Sequence, residues 1–129
     1  MKFNSCVGVM EARDGISLDA LNELELQSLR PLPLDYKDLL SMSNGIVFEN
    51  GLVIYSSEDV LERNATFEVE KYAPGFFAIG DDSGGRSILI HLNEPGVFIV
   101  DQGNMDPADM RKIGDSLPCW IKDGCVIET

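Results

Sequence analysis

The chain has 129 residues, with 22 acidic against 10 basic side chains and a formal net charge of −12. That length suits a single domain with a sizeable core, and no apolar run approaches the roughly 20 residues of a membrane span. The acid excess argues against direct nucleic-acid binding and against an anionic membrane surface, since both need Lys and Arg at phosphates; it favours a basic partner drawn in by charge.

The opening Met1-Lys2-Phe3-Asn4-Ser5-Cys6 has no apolar run of signal-peptide length. Cys6, Cys119 and Cys125 are odd in number and show no C-x-x-C spacing. Reduced thiols in a cytoplasmic protein are the simplest account, with Cys119, beside Trp120, read as a small packed residue. Val7-Gly8-Val9-Met10 suits either a short strand or an ordered tail.

Ser17 is an N-cap with Asp19 in the first turn, and Leu18, Leu21, Leu24 and Leu29 form a helical stripe that Pro31 and Pro33 end. A second helix starts near Asp35. Its Tyr36, Leu39 and Leu40 share a face, and Asn44-Gly45 supplies a left-handed stop. Asn50-Gly51 between Ile46–Glu49 and Leu52–Tyr55 is a strong hairpin signal. Ser56 and Ser57 cap a short acidic helix over 58–63, while 66–73 fits neither period cleanly.

Phe76–Ile79, Ser87–Leu92 and Val97–Val100 read as consecutive strands of an antiparallel meander. Their continuous apolar runs imply cover on both faces. Asp106-Pro107 is an N-cap followed by proline at the first helical position. Ser116 and Pro118 open a last helix with Leu117, Trp120 and Ile121 inward. The expected fold is α+β: one domain over 1–129, a central, mostly antiparallel sheet, and helices at both ends.

Gly80 to Ser87 reads G-x-x-x-x-G-R-S, close to a phosphate-binding loop. Arg86 replaces the required lysine, Asp81 and Asp82 would repel a triphosphate, and a strand follows where a helix N-terminus is needed. A hairpin connection with Gly84 and Gly85 at positive φ fits better.

The segment from Leu32-Pro33-Leu34-Asp35-Tyr36 to Ser43-Asn44-Gly45 is followed in order by the hairpin, by Phe76-Phe77-Ala78-Ile79-Gly80 with its Gly-rich turn, and by Leu117-Pro118-Cys119-Trp120-Ile121. From about Ser17 to about Asp123 this resembles the SUKH superfamily, which contains the yeast cell-wall-assembly regulator domain and many bacterial immunity proteins. The resemblance implies an α+β fold and a cytosolic partner-binding role. In bacteria such domains neutralise a toxin, often a nuclease, encoded beside them. The family has no catalytic signature to carry over; Pro33, Tyr36, Leu39, Gly45, Gly80 and Trp120 match it as turn or core residues. Residues 1–15 and the tail from Cys125 to Thr129 lie outside the match.

No catalytic set is expected: His91, the single histidine, sits inside a strand, and nothing in the sequence brings Cys119 or Cys6 to it. No metal or cofactor is expected either. Zinc would want clustered Cys and His; Asp101, Gly103 and Met105 fail the calcium-loop pattern; Asp81-Asp82 reads as solvated loop charge. For partner binding the candidates are Glu49 and Asn50 at the hairpin tip and Asp81, Asp82 and Asp101 on loops at strand ends. The expected function is binding and neutralising a basic toxin encoded nearby. The alternative is a regulatory scaffold that binds a signalling or cell-wall protein; a small hydrolase or nucleotide-binding protein ranks last.

Overall fold

The computed structural model describes residues 8–28 and 31–127. Among them, five α-helices surround a seven-stranded sheet whose spatial order is the chain order, β1 to β7. The strands are β1 (Val9–Ala12), β2 (Ile46–Phe48), β3 (Val53–Ile54), β4 (Phe76–Asp81), β5 (Arg86–His91), β6 (Val97–Asp101) and β7 (Arg111–Gly114). All neighbours are antiparallel, as short connections require. The helices are α1 (Leu18–Ser28), α2 (Leu34–Met42), α3 (Val60–Thr66), α4 (Val69–Tyr72) and α5 (Leu117–Lys122). The α+β expectation therefore holds.

The continuous apolar runs do lie in the middle: Phe77, Ala78, Ile79, Ile88, Leu89 and Ile90 are all buried. One sheet face meets α2 through Phe77, whose ring centroid lies 5.7 Å from that of Tyr36. The Tyr36 hydroxyl donates to the Tyr55 carbonyl at 2.8 Å, so burying this phenol leaves its O–H satisfied. On the other face Phe76 meets His91 and Phe98 edge-on. Trp120 of α5 packs over Gly114, where an added Cβ would fall 2.7 Å from the Trp120 Cβ. The Trp120 indole N–H donates to the Val126 carbonyl at 2.9 Å and ties the tail down.

Several local expectations change. Leu18 is exposed, because α1 buries Leu21 and Leu24 and Leu18 lies about 120° around the helix from Leu24; Leu29 falls outside the described residues. α2 stops at Ser43, an extended C-cap, and Gly45 with φ +97° serves the start of β2 instead. The 66–73 stretch holds the end of α3 and all of α4, and Glu68 at φ 51° makes a sharp corner between them. In the β4–β5 turn positive φ falls on Ser83 and Gly85, not on Gly84. Cys119 is exposed while Leu117, Trp120 and Ile121 fill the inward face of α5. A strand absent from the sequence reading, β7, follows the single turn of 3-10 helix at Pro107–Asp109.

Candidate partner-binding site

The loops expected to carry recognition meet at one end of the sheet. Glu49-Asn50-Gly51 closes the β2–β3 hairpin, with the Phe48 N–H on the Leu52 carbonyl at 2.9 Å and Gly51 at φ +96°. The Asn50 side-chain oxygen accepts from the Leu52 N–H at 3.1 Å and holds the tip in shape. The next rim loop, after β4, is hydrogen-bonded to this tip: the Ser83 hydroxyl donates to the Gly51 carbonyl at 2.6 Å. Across β5 the register places Asp101 opposite Arg86, and the Gln102 N–H donates to the Gly85 carbonyl at 2.8 Å. Three loops far apart in sequence thus become one connected rim.

The candidate acids divide on this rim. Asp82 is only 8% exposed in its side chain. Its carboxylate accepts from the backbone N–H groups of Gly84 (2.8 Å) and Arg86 (3.0 Å) and from the Arg86 Nε–H at 2.6 Å. Burial pushes its pKa up, but the Arg86 and Gly84 hydrogen bonds and the Arg86 charge outweigh burial and leave it below the usual carboxylate value. Asp81 is similarly committed: it accepts from the Tyr55 hydroxyl at 2.7 Å and from the Ser83 N–H at 2.8 Å. Burial first, then the Asp81 hydrogen bond and charge, hold the Tyr55 phenol far above its ordinary pKa. Asp81 and Asp82 build the rim, whereas Glu49, Asn50 and Asp101 lie exposed on it. Tyr55 and Ser83 are partners that no spacing in the sequence announces, because only the folded sheet brings them to these carboxylates.

The phosphate-loop lookalike is structural. Gly80 crosses β3 so closely that a Cβ would stand 2.2 Å from the Val53 carbonyl oxygen. The Arg86 guanidinium is held by Asp82, and β5 follows directly. His91 organises the β5–β6 turn, its Nδ1 accepting from the N–H groups of Asn93 (3.0 Å) and Glu94 (3.2 Å). Cys119 is exposed on α5, and Cys6 lies outside the described residues. Asp101, Gly103 and Met105 form a tight turn in which Asp101 gives its carbonyl to the N–H groups of Asn104 and Met105. Among the described residues there is no cluster of three or more His, Cys, Asp or Glu side chains arranged to hold a metal ion. No described helix is long and apolar enough to cross a membrane.

A curated relative, the uncharacterized protein YnaB of Bacillus subtilis (strain 168), is 30% identical over 77 residues, covering 60% of this chain and 51% of YnaB. The chain thus spans about half the length of that relative. The sequence pattern of the SMI1 / KNR4 family (SUKH-1) matches residues 15–123, from the loop before α1 to the end of α5. With most of the chain matched, the protein belongs to the SMI1 / KNR4 (SUKH-1) family.

Proposed function

We propose that this protein is an immunity-type domain that binds a basic protein toxin in the cytoplasm, a nuclease encoded beside its gene, and blocks the toxin's phosphate-binding surface. The observation that carries this reading is the hydrogen-bonded rim, which presents Glu49, Asn50 and Asp101 on a chain of net charge −12. Asp81 and Asp82 contribute by fixing the loops, so that exposed acids meet a cationic partner without first being ordered. Family membership adds support, since the SUKH resemblance implies a partner-binding role. The mode of action is occlusion, with no bond made or broken.

The test is protection in cells. The toxin gene adjoining this one is expressed with and without this protein, and survival is counted alongside co-purification of the pair. Protection together with a stable complex is the expected result. Equal death in both cultures sinks the reading.

A further inference from the structure

Next to the rim, on its Asp101 side, is a cavity of about 370 Å³. Thr66, Phe67, Glu68 and Tyr72 form one wall, from the α3–α4 corner; the turn from Gln102 to Met105 forms the other. The Gln102–Gly85 hydrogen bond joins this turn to the rim, so the two surfaces are continuous. Each wall turns on a non-glycine residue in the left-handed region, Glu68 at φ 51° and Met105 at φ 54°. Met105 is buried and anchors its turn. Among the described lining residues Glu68 is the acid and none is basic. Tyr72, an aromatic ring on a protein surface, is 50% exposed.

This pair already holds a cation of the chain's own. The Lys71 ammonium lies 5.2 Å from the Tyr72 ring centroid and 3.6 Å from the Glu68 carboxylate. Tyr72 first, and then Glu68, raise the Lys71 pKa above its ordinary value. Lys71 itself is 66% exposed in its side chain and is not a lining residue of the cavity, so it reaches Tyr72 and Glu68 from outside it. A guanidinium suits the seat better than an ammonium. It is planar and weakly hydrated, stacks on an aromatic face, and offers a fork of donors to a carboxylate. Gln102 lies on the opposite wall, where the Asn104 amide is held by the Asp109 carboxylate and the Asp106 N–H.

We propose that this cavity receives an arginine side chain of the protein partner, its guanidinium over Tyr72 and paired with Glu68, in competition with Lys71 for both groups. The proposal rests on the partner-binding reading but adds an anchor point that the rim acids do not provide. Exposed aromatic and arginine groups dominate many interfaces, whereas rim charges mostly steer.

The probe is Nα-acetyl-arginine amide, titrated into isotope-labelled protein and followed by NMR, with the isosteric neutral Nα-acetyl-citrulline amide as control. Saturable shifts are expected at Tyr72, Glu68 and residues 102–105 with the arginine probe alone. Tyr72→Leu lowers the affinity about threefold or more, and Lys71→Met raises it by a similar factor, because a competing cation has gone. Tyr72→Phe retains binding. Shifts that do not saturate, equal shifts with citrulline, indifference to Tyr72→Leu, or weaker binding in Lys71→Met would each overturn the proposal. The titration involves no toxin. Protection in cells without probe binding removes this inference alone, and probe binding without protection removes the toxin reading alone.

Discussion

The Asp82 carboxylate collects N–H groups from Gly84 and Arg86 and the Arg86 guanidinium, all within the turn that joins β4 to β5. Replacing it with alanine leaves those donors without an acceptor in a place where its side chain is almost fully covered. Asp82→Ala therefore loses about 2 kcal/mol of stability in urea unfolding. The pH dependence has a definite sign. The folded pKa lies below the usual value, so the contribution is fully present above the unfolded carboxylate pKa of about 4 and is lost as pH falls through the lower folded value. Stability measured from about pH 5 downward declines less steeply in Asp82→Asn than in the wild type; an identical slope in both would contradict this. The role was hidden in the sequence. Asp81-Asp82 beside Ser83-Gly84-Gly85 looks like solvated loop charge until the turn closes around it.

At the scale of elements, the short β3 leaves a problem that α3 solves. β3 pairs with Gly80 and Asp81, and the Tyr55 N–H reaches the Ile79 carbonyl. Beyond that point the edge of β4 has no strand beside it. Asn64 on α3 takes the place of one: its side-chain oxygen accepts from the Ala78 N–H at 2.8 Å, and its Nδ2 donates to the Ala78 carbonyl at 2.9 Å. The same Nδ2 donates to the Val60 carbonyl at 2.8 Å. The amide therefore satisfies the strand edge and excludes another chain from it. Asn64→Leu keeps the bulk but orphans both Ala78 groups, and costs about 2–3 kcal/mol with faster exchange of the Ala78 amide. Unchanged exchange at that amide would refute this role. Most elements were readable from turn residues and period: the Asn50-Gly51 hairpin, the meander from Phe76, the caps at Ser17 and Ser116. Those that escaped are short. β7 is four residues, Arg111-Lys112-Ile113-Gly114, half-polar and at the sheet edge, so it shows neither alternation nor an apolar run. α4 is four residues entered through a left-handed glutamate, too brief for a helical period to register. Of the site, the loop positions were legible from Gly and Asn. The split between structural and exposed acids was not, because it depends on Tyr55 and Ser83 arriving from other elements.

For the molecule as a whole, a net charge of −12 on one small body sets up a field that favours encounter with cations over approach to phosphate. Reversing exposed rim charges, Glu49→Lys with Asp101→Lys, slows association with the basic partner about tenfold at low salt. The difference shrinks as ionic strength rises and screening shortens the field. Stopped-flow association rates across a salt series measure this, and a salt-independent difference would place the effect in close contact instead of steering. The sheet order carries a consequence of its own. Each strand from β1 to β7 lies against the one made just before it, so pairing can proceed in step with synthesis. No completed neighbour has to part for a latecomer. α5, made after the last strand, then brings Trp120 over Gly114 and draws the indole N–H onto the Val126 carbonyl, so a segment that follows the whole sheet latches it.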